Sequence, residues 1–240
     1  MSIIPKNIFQ IYHNKSMVKE SVMHEIISIN PGYKYELYDF NDGKEFIKLN
    51  FESQLSEKIN CYLDNLDRYA HKSDLLRYCL LYIYGGVYLD VDLKQKLPID
   101  DIIAMSNGAD LITSLGLHGN ITRMNEEEFM ENNALSSCTM ANGLLITRPK
   151  NAIFLALIDK IITLPFKNRH AVNIYYFHSY LKNNSLCFGA YNNFFVNNIN
   201  IYLFKEQTIH RGGKNVFLNK NSEIIMYSNN WLKKEDYLNT

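Results

Sequence analysis

Residues 71–94, HKSDLLRYCLLYIYGGVYLDVDLK, constrain this chain more than any other stretch. Leu75, Leu76, Cys79, Leu80 and Ile83 recur at helical spacing, so the segment opens as a helix with one apolar side. Asp74 and Arg77, three residues apart, lie together on that helix. Gly85 and Gly86 supply the left-handed backbone that ends a helix without a Cβ clash. Val87, Tyr88 and Leu89 form a short β-prone apolar run, and Asp90-Val91-Asp92 closes it. Alternation along a strand sends Asp90 and Asp92 to one face and Val91 to the other. Two carboxylates about 7 Å apart repel unless donors or a cation neutralise them. Hard oxygen ligands with no cysteine beside them suit Mg²⁺ or Mn²⁺, shared with phosphate oxygens, so a diphosphate is the natural partner. A bare D-x-D is more often a solvated strand end. This one closes an apolar strand entered through Gly-Gly, where a cleft is expected.

The runs S-D-L-L-R-Y and Y-G-G-V-Y-L-D-V-D resemble the signature of the DXD sugar transferases of glycosyltransferase family 32. Yeast initiating mannosyltransferases and bacterial capsular-sugar transferases belong to that family, and the glucosyltransferase domains of large clostridial toxins carry a similar block. The likeness is contiguous over about twenty residues. It implies a GT-A-like α/β fold, with a central mixed, mostly parallel sheet flanked by helices. It also implies a UDP- or GDP-hexose donor, Mn²⁺ or Mg²⁺ as cofactor, and retention of anomeric configuration.

Residue by residue, the resemblance gives Asp92 to the metal and Asp90 to the metal or to ribose and sugar hydroxyls. Asp74 would accept from sugar hydroxyls, and Arg77 would donate to sugar or phosphate oxygen. The plain alternative for Asp74 and Arg77 is an exposed intrahelical ion pair, worth a few tenths of a kcal/mol. Tyr88 and Asn142 join the expected donor site, although Asn142-Gly143 also reads as a turn signal. The opening IPKNIFQIY is similar to the family's I-P-K-x-I-H-Q-x-W, with Phe9 at the histidine and Tyr12 at the tryptophan. That tryptophan stacks on the donor base in the toxin relatives, so Tyr12 inherits the role; a half-buried strand tyrosine is the equal alternative. His210 is the candidate for the late metal ligand such enzymes often use, with Glu206 competing for the task. Arg211 or Lys214 would close over the diphosphate, and Trp231 would cap the donor pocket.

The rest of the chain fits one domain over residues 1–240, with no Pro/Gly/Ser-rich linker dividing it. Strands are expected within 3–12, 33–40, 109–115, 141–149 and 201–204, with a terminal hairpin over 216–227. Helices are expected within 13–29, 41–67 and 152–164. Asp39 is read as starting a turn rather than touching nucleotide. The Glu126–Glu131 run is read as a solvated face. The chain carries 25 basic and 25 acidic residues, which argues against an extended nucleic-acid surface. Four cysteines show no metal spacing, and Cys79 is expected to be a reduced core thiol. No long apolar segment marks a signal peptide or integral membrane anchor, so a cytoplasmic enzyme is expected, or a catalytic domain cut from something longer.

The function expected is therefore transfer of a hexose to a hydroxyl on a glycan, glycolipid or protein acceptor. One rival is another metal-dependent nucleotide enzyme, such as a nucleotidyltransferase, but no Walker-type phosphate loop is present. The other is a non-catalytic glycan- or nucleotide-binding protein that kept the fold. A binder has no need of the intact Asp74, Arg77, Asp90 and Asp92.

Overall fold

The computed structural model describes residues 3–117, 138–163, 177, 180–185, 189–209 and 214–228. The acidic run at 126–131, His210, Arg211 and Trp231 lie outside these residues, as does the side chain of Lys214.

Strands β1 (Asn7–Ile11), β2 (Lys34–Tyr38) and β3 (Gly86–Leu89) form a parallel trio with β1 in the centre. Between them the chain makes a 3-10 turn (Lys15–Met17), α1 (Glu20–Ile29), α2 (Phe40–Asn50), α3 (Ser53–Asp64) and α4 (Tyr69–Tyr84). After β3 come β4 (Leu93–Gln95), α5 (Ile99–Ala104), β5 (Leu111–Leu117), β6 (Cys138–Thr147) and α6 (Ala152–Ile162). Strands β7 (Phe194–Val196), β8 (Ile199–Ile209), β9 (Lys214–Leu218) and β10 (Ile224–Ser228) complete the described elements.

One sheet joins all ten strands in the order β2-β1-β3-β6-β5-β8-β9-β10-β4, with β7 paired to β8. The mixed α/β architecture is as expected, but parallel pairing is scarcer: β1–β2, β1–β3 and β5–β8, against six antiparallel pairs. For three of the six the reason is local. Short connections join β7 to β8, β8 to β9 and β9 to β10, and a short connection returns a strand antiparallel, whereas a parallel return needs a long crossover.

The sheet is covered on both faces. Phe46 and Ile47 of α2, Ile59, Tyr62 and Leu63 of α3, Leu75, Leu76 and Tyr78 to Leu81 of α4, and Phe154, Leu157 and Ile158 of α6 pack over Phe9, Tyr88, Leu145 and Leu203. On the other face Ile26 of α1 and Ile99 and Ile102 of α5 share a core with Val87, Leu89, Leu93, Ile112, Leu144, Phe204, Phe217 and Met226. Each fully buried Leu, Ile or Phe contributes roughly 1.5–3 kcal/mol.

Helix α4 departs from the amphipathic expectation, because His71, Asp74 and every residue from Leu75 to Leu81 are buried. Its polar side faces protein instead of water, so Asp74 and Arg77 form no exposed ion pair. Cys79 is fully buried in this helix, which raises the pKa of its thiol.

Two junctions hold the sheet around the strand ends. Gly85 and Gly86 take φ of 61° and 94° between α4 and β3. A Cβ on Gly86 would stand 2.6 Å from the Asn7 carbonyl oxygen, so the backbones of β1 and β3 approach there only without a side chain. Buried Asn30, after α1, donates to the Ile26 carbonyl and to Gln95 Oε1 and accepts from the Ile99 amide, fixing α1, β4 and α5 together. Asp39 accepts from the Asn41 and Asp42 amides while Asp42 accepts from the Asp39 amide. It is the reciprocal N-cap of α2, in keeping with the structural reading of that residue.

Candidate functional site

All three strands of the parallel trio end on the same side of the sheet, and the candidate residues gather there. Strand β3 stops at Leu89, so Asp90 and Asp92 do not lie on a continuous strand as alternation predicts. The Asp90 amide still donates to the Gly143 carbonyl, at 2.9 Å. The chain then turns, with the Leu93 amide donating to the Asp90 carbonyl at 3.0 Å. The turn exists because β3 pairs with β6 on one side of the sheet, whereas β4, three residues later, pairs with β10 at the far edge. Asp90 and Asp92 therefore occupy the two ends of a tight link.

Arg77 is the hub. Its guanidinium reaches Asp74 Oδ1 at 3.2 Å and Asp90 Oδ1 at 3.4 Å, and Nη1 donates to the Asn142 carbonyl. The guanidinium also lies over the Tyr88 ring, 4.3 Å from its centre. Burial works against the Arg77 charge, but Tyr88, Asp90 and Asp74 outweigh it and hold its pKa up. Arg77 is a fixed cation, which suits it to carboxylate and phosphate groups. Its side chain is 6% exposed, whereas the Asp90 side chain is 37% exposed. Asp90 thus carries the network out to solvent.

Asn142 sits within β6 rather than at its entrance. Ile112 pairs with Ile146 but Ser114 with Ala141, so β6 bulges beside β5 between those pairs. Bulges re-aim side chains. Asn142 is brought against α4, where its Oδ1 accepts from the Tyr78 hydroxyl at 2.8 Å and its Nδ2 donates to Asp74 Oδ1 at 3.3 Å. The Asn-Gly signal is real, but it marks the bulge instead of a turn. Gly143 leaves room for Asp90: a Cβ there would lie 3.0 Å from Asp90 Oδ2, close enough to make the carboxylate or the bulge give way.

Tyr88 is almost wholly buried, and its hydroxyl donates to Asp90 Oδ1 at 2.6 Å. Gln10, fully buried in β1, was not singled out from the sequence. It donates to the Asp90 carbonyl at 3.2 Å and accepts from the Tyr35 hydroxyl at 2.7 Å. The available signal was a polar residue inside the otherwise apolar stretch IFQI. On the other side of the turn, Ser228 Oγ at the end of β10 lies 3.4 Å from Asp92 Oδ2. Burial first, and the Asp90 charge next, push the Asp92 carboxyl up to about 6.

Tyr12 follows β1 at the same end of the sheet and is partly buried. Its ring is 4.4 Å from that of His13, which stacks on Tyr69 at 4.7 Å, and Tyr69 stacks on Phe40. Among the described residues no contact ties Tyr12 to the Arg77 network; it belongs to a separate aromatic row at the same edge. The structure thus joins Asp74, Arg77, Tyr88, Asp90 and Asn142 directly and sets Asp92 beside them.

The site has one buried guanidinium against the carboxyls of Asp74, Asp90 and Asp92, an excess of hard anionic oxygen that fits a divalent cation. Among the described residues no three His, Cys, Asp or Glu side chains are grouped to enclose an ion. Mg²⁺ and Mn²⁺ suit such an incomplete set, because they are usually bound by one or two carboxylates together with substrate phosphates.

Comparison with known proteins finds similarity over part of the chain. Residues 17–109 match the family described as "Glycosyltransferase sugar-binding region containing DXD motif". That region holds Asp74, Arg77, Tyr88, Asp90 and Asp92, while Tyr12 and Asn142 fall outside it. The chain is similar to an uncharacterized glycosyltransferase of Acanthamoeba polyphaga mimivirus, 35% identical over 33% of this chain and 30% of that protein. It is also similar to inositol phosphoceramide mannosyltransferase 3 of Schizosaccharomyces pombe, 30% identical over 42% of this chain and 27% of that protein. The match spans less than a third of either relative's length. Among solved structures, PaToxG glycosyltransferase aligns over 71% of this chain and 64% of that one, with 17% identity and a TM-score of 0.43.

Proposed function

We propose that the protein is a metal-dependent, retaining glycosyltransferase that moves a hexose from a UDP- or GDP-sugar to a hydroxyl acceptor. The observation that carries this is the buried Asp74–Arg77–Asn142 network, which ends in Asp90 and stands beside Asp92 within a DXD sugar-binding region. A scaffold that only kept the fold would have little reason to hold a buried guanidinium against two carboxylates, since replacing such groups by apolar ones is often neutral or stabilising.

Mn²⁺ or Mg²⁺, held by Asp92 with Asp90 beside it, would supply Lewis-acid stabilisation of the departing nucleoside diphosphate. Arg77 adds a fixed positive charge on the inner side of the site. Asp74 and Asp90 accept hydrogen bonds from sugar hydroxyls and orient the ring. Tyr88 and Gln10 hold Asp90 by its carboxylate and its carbonyl. In the reaction the bond from the anomeric carbon to phosphate oxygen breaks and a bond to the acceptor oxygen forms. The acceptor proton passes to the leaving phosphate on the same face. Tyr12 is assigned to the nucleobase, since a tyrosine face can stack on it.

The fungal relative is named a mannosyltransferase, so a mannosyl donor heads the panel to be tested. Purified protein is incubated with UDP- and GDP-sugars, with Mn²⁺ or with chelator, and free nucleoside diphosphate is followed for wild type and Asp92→Asn. Metal-dependent release from one donor, lost in the variant, is the expected result. If no donor is turned over and none binds with metal by calorimetry, the transferase reading fails and the binding-protein reading replaces it.

A further inference from the structure

The proposed mechanism leaves one buried carboxyl without a task. Glu206 lies on β8, 7% exposed, and its Oε2 has no hydrogen-bond partner among the described residues. A buried carboxyl with an unused oxygen is costly, so its presence asks for a reason.

Alternation along β8 puts Glu206 on the same face as Tyr202 and Phe204, in the core with Leu89, Leu93, Leu144, Phe217 and Met226. Its strand neighbours are Gly116 on β5, which has no side chain, and Phe217 on β9. Asn215, two residues from Phe217 and so on the same face, hydrogen-bonds to the Glu206 carboxyl. The pairing of Tyr227 with Val216 brings the next residue of β10, Ser228, beside Asn215. Ser228 in turn meets Asp92. A polar row of Glu206, Asn215, Ser228 and Asp92 therefore crosses β8, β9 and β10 and reaches the turn that carries the DXD pair.

We infer that Glu206 is a positioning residue for the cation: it strengthens binding of the ion at Asp90 and Asp92 from outside the ion's direct ligands. This rests on the transferase reading given above. Glu206 is no direct ligand in this arrangement, because it does not group with Asp90 and Asp92 closely enough to enclose an ion. It is nevertheless near enough for both charges to act on it. Burial chiefly, with Asp90 and Asp92 adding to it against the Asn215 hydrogen bond, pushes its carboxyl up to about 7. The same proximity works in reverse for a cation, whose arrival between the carboxylates makes an ionised Glu206 favourable. Groups that orient and charge a metal site from behind its ligands commonly change affinity about 10- to 100-fold when removed.

The test is Mn²⁺ binding measured by calorimetry at mildly alkaline pH, with UDP or GDP present, for wild type, Glu206→Gln and Ser114→Ala. Ser114 is the control, since its hydroxyl is also buried without a partner among the described residues and lies on β5 two positions before Gly116. Expected are a loss of about 10- to 100-fold in Mn²⁺ affinity for Glu206→Gln, unchanged affinity for Ser114→Ala, and thermal stability of the cation-free variant no lower than wild type. If Glu206→Gln does not fold, Glu206→Met takes its place in the same comparison. Wild-type affinity in the variant overturns the inference while leaving the transferase reading intact. So does an equal loss in Ser114→Ala, which would mean disturbance of the sheet face. Mn²⁺ binding to none of the proteins overturns both.

Discussion

The Tyr88 hydroxyl and Asp90 Oδ1 stand 2.6 Å apart, and Arg77 approaches the same oxygen. One oxygen of Asp90 is thereby engaged, and the other, Oδ2, is turned toward Gly143. A carboxylate held at one oxygen presents the second in a single orientation, which a ligand site needs.

Tyr88→Phe removes that hold and nothing else of the ring. A hydrogen bond to a charged group is worth about 1.5–3 kcal/mol, so kcat/KM for the preferred donor should fall about 10- to 100-fold. The midpoint of thermal unfolding should fall as well, by roughly 2–4 °C for each kcal/mol lost. Steady-state kinetics on the donor identified by the panel will decide, and an unchanged kcat/KM would refute the orienting role.

Arg77 carries two carboxylates. Arg77→Met strands Asp74 and Asp90 without their countercharge, and breaking a buried ion pair on one side costs about 3–5 kcal/mol. Chemical denaturation should show a loss of that order. Arg77→Lys should recover part of the stability but little activity, because an ammonium cannot reproduce the planar fork that meets Asp74, Asp90 and the Asn142 carbonyl together.

Gly143→Ala puts a methyl group 3.0 Å from Asp90 Oδ2. The carboxylate or the bulge must shift by a few tenths of an ångström. Metal-dependent turnover should drop while circular dichroism and the unfolding midpoint stay close to wild type. Full activity in this variant would mean that Asp90 Oδ2 has room to spare.

Stability without cation should depend on pH in a defined sense. Asp92 is pushed up to about 6 and Glu206 to about 7, from ordinary values of 3.8 and 4.5. An acid whose pKa is raised on folding adds stability that is full below its unfolded value and is lost as pH rises through the folded one. The cation-free protein should therefore become less stable from about pH 4 to about pH 7. Asp42 and Asp100, with lowered values, act at more acid pH. Thermal unfolding across this window checks the slope. Mn²⁺ with nucleoside diphosphate should flatten it, and Glu206→Gln should remove its upper part.

Much of this was legible in the sequence because it is local. The spacing of Leu75, Leu76, Cys79 and Leu80, the Gly85-Gly86 stop and the closing carboxylates specify helix, break and strand within 24 residues. Legibility ended where partners come from afar. The burial of Asp74 depends on Asn142, 68 positions away, and on a bulge that no propensity announces. Gln10 gained its role only when β1 lined up beside β3. The strand expected through Asp92 failed for a global reason too, since the far-edge pairing of β4 with β10 forces the chain to turn.

That pairing has a consequence for assembly. Asp90 stands third from one margin of the sheet, β4 forms the opposite margin, and only three residues link them. The DXD turn is thus a clasp that fastens the first strands of the chain to the last. Its Arg77 side can form once α4, β3 and β6 have met, but Asp92 meets Ser228 only after β10 has docked. Long-range strand pairing of this kind is slow to form. Cation capture during refolding should therefore lag behind helix formation and report the moment at which the sheet closes.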